Sequence, residues 1–125
     1  DLGICQFTSN IFYAEDLLDA IRTFTGFNIS LSELMIIGER TYNMAKAFNA
    51  REGFTRKDDY LPERVMKDPI PKGVSKGSLV RREELESMLD EYYQARGWSM
   101  DGIPTKAKLH ELELDDIGNE IGAGH

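Results

Sequence analysis

The side chains best suited to metal or redox chemistry are few in this chain and far apart. Cys5 is the only cysteine among 125 residues, and the two histidines are His110 and His125. One thiol cannot form an internal disulfide, and neither histidine stands at a ligand spacing from it. Cys5 is therefore either a small buried apolar side chain, as single cysteines often are, or one ligand of a site completed by other residues.

Two further segments contain residue types that bind ions. The segment "GVSKG" at 73–77 lacks the preceding strand and the Gly-Lys-Ser/Thr ending of a phosphate-binding loop, so a turn is favoured. The adjacent Asp58 and Asp59 could ligate a cation, but their position just before Pro62 favours a helix-capping role. No nucleophile stands next to a base in a recognisable pattern, so no catalytic residue is assigned.

Composition and charge restrict the class of protein. Hydrophobic residues make up 41% and charged residues 30% of the chain, as in ordinary globular domains. The net charge is −7, although residues 51–82 hold nine Lys/Arg against five Asp/Glu. An acidic chain is a poor nucleic-acid binder, which argues against a helix-turn-helix DNA-binding protein. There is no apolar run of membrane-spanning length, and a single cysteine suits a reducing, cytoplasmic compartment.

The elements that must position these residues are predicted to be helices. Apolar residues recur at helical spacing, and glycines follow three of the runs, at 26, 53 and 97. Ser30 and Glu33 form a capping-box pattern at the start of the longest run. No segment alternates in the manner of a strand, so the fold class is all-α. Helices are predicted at 14–25, 31–51, 62–67, 83–96 and 106–112, and residues 115–125 are predicted to be a flexible tail.

Two apolar stripes should supply the core. In the longest helix the stripe comprises Leu34, Met35, Gly38, Tyr42, Ala45 and Phe48, and in the helix at 83–96 it comprises Leu85, Met88, Leu89, Tyr92 and Tyr93. Gly38 costs a helix about 1 kcal/mol relative to alanine, so it is either a tolerated glycine or a close approach by another helix or a cofactor. The predicted core is Leu34, Phe48, Leu85, Leu89 and Tyr92, with Trp98 packed on the following turn.

Three blocks of sequence resemble one enzyme family in order along the chain. They are "DLGICQFT", "GERTYNMAKAFNAREGFTRKDDYLPERV" and "LDEYYQARGWSMDGIPT". Together they resemble the C-terminal part of the tungsten-containing aldehyde:ferredoxin oxidoreductases, from Gly3 to about Leu114. The resemblance implies an irregular multi-helix domain over residues 1–114, and we expect the chain to be a fragment of a larger, multidomain enzyme.

The resemblance also implies roles for residues near the start of the chain. In this family a Gly-Leu/Ile-Cys step supplies the fourth thiolate of a four-iron four-sulfur cluster, so Cys5 is the implied metal ligand. Gly3 and Ile4 match the positions where the backbone approaches the pterin. The family also has an Asp five residues before this cysteine; Asp1 lies four residues before Cys5, one residue too close to match that position, so a pterin contact is not assigned to it.

The activity that the resemblance implies is oxidation of aldehydes to carboxylic acids at a tungsten (or molybdenum) bis-pterin centre. Electrons would pass through the 4Fe-4S cluster to ferredoxin. The implied partners are upstream domains of the same chain, ferredoxin and the aldehyde, with no nucleic acid and no membrane. We expect the isolated fragment to be inactive, to hold no cofactor and to self-associate through an apolar patch that includes Phe7, Ile11, Phe12 and Tyr13. The alternative is a stand-alone helical interaction module without catalytic activity.

Overall fold

A computed structural model describes residues 12–121, and these residues contain six α-helices and one short 3₁₀ helix. The only β pairing among them is an isolated bridge between Trp98 and Pro104, so the all-α prediction is confirmed. The α-helices are α1 (Ala14–Thr25), α2 (Leu31–Arg51), α3 (Glu63–Lys67), α4 (Arg82–Arg96), α5 (Lys106–Glu111) and α6 (Asp115–Glu120), and the 3₁₀ helix spans Arg56–Asp59.

Local capping explains where the longer helices begin and end. The Ser30 backbone N–H donates to Glu33 Oε2 at 2.7 Å, and the Glu33 N–H donates to Ser30 Oγ at 3.2 Å, so the predicted capping box is confirmed. The bond from the Ser30 backbone N–H, with a second from the Ser30 hydroxyl to the same carboxylate oxygen, holds the pKa of Glu33 below its usual value. Gly97 ends α4 with φ +69°, in the left-handed region that glycine enters without strain.

The described chain divides into two compact units, with the boundary between residues 45 and 46. In the first unit, α1 buries Leu18 and Ile21, and the Arg22 Nε–H donates to the Ile29 carbonyl at 2.9 Å. This bond closes the turn between α1 and the start of α2.

The second unit contains the larger core. Its buried side chains include Tyr93, Trp98 and Leu109, and the Trp98 ring meets the Tyr92 ring edge-on with 5.7 Å between centroids. Trp98 is buried, as predicted, and its backbone forms the bridge to Pro104 across the following turn. The remaining buried apolar residues of this unit are Ala47, Leu85, Leu112 and Pro104.

The predicted core is only partly correct. Leu85 is buried, but Leu34 and Leu89 are half-buried, and Phe48 and Tyr92 are exposed. In α4 it is Tyr93, not its neighbour Tyr92, that turns inward, because its hydroxyl donates to Asp59 at 2.6 Å. Periodicity could not separate two adjacent tyrosines, since the difference depends on a partner 34 residues away.

The sequence predicts no helix after about residue 112, and this is corrected for residues 115–120, which form α6. Helix α6 packs against α5, where the buried Gly118 lies next to Leu109. Asp115 supplies a carboxylate 2.8 Å from His110 Nδ1. A six-residue helix owes its stability to packing more than to its own propensity, so its sequence pattern is weak.

Candidate functional site

The residues assigned to cofactor and metal binding, Gly3, Ile4 and Cys5, lie outside the described residues, as do Asp1 and His125. His110 is exposed and pairs with Asp115, an arrangement that stabilises the junction of α5 and α6. Within residues 12–121 there is no group of three or more His, Cys, Asp or Glu that could hold a metal ion. The described part of the chain therefore offers no metal centre of its own.

The most concentrated chemistry in residues 12–121 is a cluster of charged and phenolic groups, which we call the polar cluster. It joins the end of α2, the 3₁₀ helix and α4. Its members are Lys46, Arg56, Asp59, Tyr60, Glu86, Asp90 and Tyr93.

Asp59 is the first centre of the polar cluster. Its Oδ2 accepts from Lys46 Nζ at 2.8 Å and from the Tyr93 hydroxyl at 2.6 Å. Partial burial alone would raise the pKa of Asp59, but these two hydrogen bonds outweigh it and leave the pKa below its usual value. Burial, reinforced by the bond to Asp59, raises the pKa of Tyr93 well above its usual value. Asp59 is therefore an ionised carboxylate fixed by two hydrogen bonds, and the Tyr93 hydroxyl stays protonated.

Arg56 is the second centre. Its guanidinium donates to Glu86 Oε2 at 2.6 Å and lies 2.6 Å from Asp90 Oδ1, both on α4. It also donates to the backbone carbonyl of Met100 at 3.2 Å. Hydrogen bonds to Glu86 and then to Asp90 raise the pKa of Arg56, so it stays charged at every physiological pH. This fork geometry is one that lysine cannot reproduce.

Glu86 completes the cluster from α4. The Tyr60 hydroxyl donates to one of its oxygens, and together with the bond from Arg56 this lowers the pKa of Glu86. In the described chain no buried side-chain nitrogen or oxygen is left without a hydrogen-bond partner. A cluster in which every group is engaged in a hydrogen bond or an ion pair is suited to positioning the backbone elements that carry it.

The sequence predicted only part of the polar cluster. The pair Asp58–Asp59 was predicted to cap a helix, and Asp58 does so, accepting from the Thr55 N–H at 2.8 Å at the start of the 3₁₀ helix. Asp59 instead pairs with Lys46, which is 13 residues away. The segment "GVSKG" forms the predicted turn, with the Lys76 N–H donating to the Gly73 carbonyl at 3.1 Å.

A shallow apolar groove lies between α3 and the loop that follows it. Its volume is about 710 Å³. Val65, Ile70 and Val80 are among the side chains that line it, and the Val80 N–H donates to the Val65 carbonyl at its edge.

None of the described helices is long and apolar enough to cross a membrane.

Comparison with known sequences matches nearly the whole chain to one family. Residues 1–114 match the family model described as aldehyde ferredoxin oxidoreductase, domains 2 and 3. Over 116 residues the chain is 38% identical to the tungsten-containing aldehyde ferredoxin oxidoreductase of Pyrococcus abyssi and 39% identical to that of Pyrococcus furiosus. The matched part covers 92% of this chain but 19% of each relative, so the chain spans about a fifth of their length.

A solved structure shares the fold. The active-site complex BamBC of benzoyl coenzyme A reductase, bound to 1,5-dienoyl-CoA, superposes with a TM-score of 0.71 at 28% sequence identity. The match covers 87% of this chain and 15% of that one. With the family match over residues 1–114, the resemblance found in the three sequence blocks is confirmed: the chain belongs to the aldehyde ferredoxin oxidoreductase family.

Proposed function

We propose that this chain is the C-terminal part of a cytoplasmic tungsten (or molybdenum) pterin enzyme that oxidises aldehydes to carboxylic acids and passes the electrons to ferredoxin. The observation that carries the proposal is the family match over residues 1–114, which includes the Gly-Ile-Cys step at 3–5. The overall reaction adds one oxygen from water to the aldehyde carbon and releases two electrons and two protons. Each of two ferredoxins accepts one electron.

The chain can supply one of the ligands of an iron–sulfur cluster. A four-iron cluster takes four cysteine thiolates, and this chain has the single thiol of Cys5. In the proposal Cys5 supplies one of the four thiolates, and three come from sequence outside residues 1–125. When bound, the cluster carries electrons and the tungstopterin supplies the oxidation chemistry.

Gly3 and Ile4 are proposed to run beside the pterin. Glycine has no side chain, so its backbone can come close to a flat cofactor where any other residue would collide. Ile4 would hold the pterin through its backbone. Neither residue supplies an acid or a base, in keeping with the absence of an assigned catalytic residue.

Within the second unit, the polar cluster ties the end of α2, the 3₁₀ helix and α4 together through Lys46–Asp59, Tyr93–Asp59 and Arg56–Glu86. No role in the redox chemistry is assigned to it. The isolated chain of 125 residues is expected to turn over no aldehyde.

The proposal is tested by replacing Cys5 in the whole polypeptide that contains this sequence, produced and purified without oxygen. Cys5→Ala should lose most of its iron and its ferredoxin-reducing activity while retaining tungsten, since the pterin contacts are not removed. The adjacent Gln6→Ala should retain iron, tungsten and activity. A Cys5→Ala protein with the full iron content and an unchanged cluster signal in electron paramagnetic resonance would refute the role of Cys5. A parent protein without tungsten or molybdenum would refute the proposed enzyme and favour the interaction module.

A further inference from the structure

The apolar stripe of α2 that the sequence predicts to be buried is exposed in the structure. We define the α2 stripe as Leu34, Met35, Gly38, Tyr42 and Ala45, all within the first unit. The Met35 side chain is 64% exposed and Tyr42 is 46% exposed, while Leu34 is half-buried. A Cβ built on Gly38 would meet nothing within 4 Å. The described residues leave this side of the helix open.

The opposite side of α2 is the buried one, although it is more polar. Asn43, which lies about 130° around the helix axis from the centre of the stripe, has no exposed surface. Its amide donates to the Glu39 carbonyl at 2.9 Å. Burial of apolar area drives helix packing, and a helix that buries asparagine while exposing methionine and tyrosine has its more apolar side still to be covered.

The rest of the first unit reinforces this conclusion. Of its described residues, 12–45, only Leu18 and Ile21 are buried apolar side chains. The unit spans 45 residues, close to the size of about 40 below which a core usually needs additional support. Outside the α2 stripe, seven more of its large apolar side chains are exposed, namely Phe12, Tyr13, Phe24, Phe27, Ile36, Ile37 and Met44. Exposed apolar surface on this scale is typical of an interface.

We propose that the α2 stripe is the docking surface for a segment of the same polypeptide that lies outside residues 1–125. The inference rests on the proposed function, in which this chain is part of a longer enzyme. Curated relatives are about five times as long as the part matched here, so each holds abundant chain to cover the stripe. A covalently attached segment is present at high effective concentration and covers an apolar face permanently, as this unit requires.

The first test is photo-crosslinking in the whole polypeptide. A benzophenone amino acid replaces Met35 in one variant and Val74 in the other. Val74 is the control because it is fully exposed on the turn at 73–77 in the second unit. After illumination and proteolysis, the Met35 probe should yield peptides from outside residues 1–125 at ten times the yield of the Val74 probe or more.

A mixture of light and heavy isotope copies distinguishes contacts within one chain from contacts between two. Crosslinks from the Met35 probe to a second copy, to residues within 1–125, or at no more than the Val74 yield would each overturn the proposal. Because the probe could itself disturb folding, the unsubstituted protein is also oxidised with hydroxyl radicals. Met35 should be oxidised at least tenfold more slowly in the folded whole polypeptide than in the same polypeptide unfolded in urea. A smaller difference in rate would overturn the proposal.

These results separate the docking surface from the cofactor role of Cys5. If Met35 crosslinks to peptides outside residues 1–125 and the Cys5→Ala protein keeps its cluster, the role of Cys5 is refuted and the docking surface is supported. If Cys5→Ala loses the cluster and Met35 gives no such crosslinks, the docking surface is refuted and the role of Cys5 is supported.

Discussion

Replacing Gly102 by alanine should destabilise the second unit by two separable effects. Gly102 is buried and has φ +74°, a conformation that costs an L-residue about 1–2 kcal/mol. A Cβ there would also lie 2.9 Å from both Tyr93 Cζ and the Tyr93 hydroxyl, and 3.2 Å from Asp59 Oδ2. Because ordinary van der Waals separations begin near 3.5 Å, the Tyr93 ring must move by roughly half an ångström.

The movement of Tyr93 has a predictable cost. The ring lies between Trp98, 6.1 Å away between centroids, and the 2.6 Å hydrogen bond to Asp59. Overpacking at such a site costs about 1–3 kcal/mol. With the backbone cost added, we expect Gly102→Ala to lose about 2–5 kcal/mol of unfolding free energy.

A matched glycine isolates the packing effect. Gly77 has φ +86° in the same unit, but a Cβ there would meet nothing within 4 Å, so Gly77→Ala should lose only the backbone cost of about 1–2 kcal/mol. Both variants are unfolded in urea and followed by the fluorescence of Trp98, the only tryptophan in the chain, which is buried in this unit. Equal losses in the two variants would refute the close approach of Tyr93 to Gly102.

Three further predictions follow from the core and the polar cluster. Leu109→Ala should cost about 2–5 kcal/mol because Leu109 is fully buried, whereas the partly exposed Leu61→Ala should cost clearly less; similar urea midpoints for the two would contradict the packing of α5. Because the pKa of Asp59 and of Glu86 is lowered in the folded chain, the stabilisation they give should be complete above the ordinary carboxyl pKa values of 3.8 and 4.5 and be lost as pH falls below them. Asp59→Asn should therefore flatten the decline in unfolding free energy between pH 7 and pH 3, and an unchanged decline would contradict the pairing of Asp59. Arg56→Lys should lower the thermal midpoint because lysine cannot pair with Glu86 and Asp90 in a fork, and the exposed Lys57→Arg is its control; equal midpoints for these two variants would show that the fork adds no stability.

Capping residues and helix-ending glycines allowed the longer helices to be predicted from the sequence. The bounds predicted for the first two helices, 14–25 and 31–51, agree with α1 and α2 because Gly26 and the Ser30–Glu33 box act within a few residues of each helix end. The family was also readable, since its motifs occur as ordered blocks along the chain. Neither inference needed contacts between distant residues.

Tertiary structure decided which side of each helix is buried. Periodicity identified the stripe from Leu34 to Phe48 but could not show that α2 buries Asn43 and Ala47 instead. A hydrophobic stripe predicts burial against some partner, and the sequence of one segment does not say whether that partner lies within the same segment. The same limit applies to α6, which forms where Gly118 packs on Leu109.

In the polar cluster, one aspartate follows from the local sequence and the other depends on distant residues. Composition and spacing indicated that Asp58 and Asp59 stand at a helix start, and for Asp58 that was sufficient. The role of Asp59 depends on Lys46 and Tyr93, which lie 13 and 34 residues away and reach it only when α2 and α4 converge. The sequence by itself thus determined helices α1 to α5, their approximate ends and the family, because these depend on neighbours along the chain. Only the tertiary structure decided the buried faces and the partners of the charges, because those depend on which distant side chains come within a few ångströms.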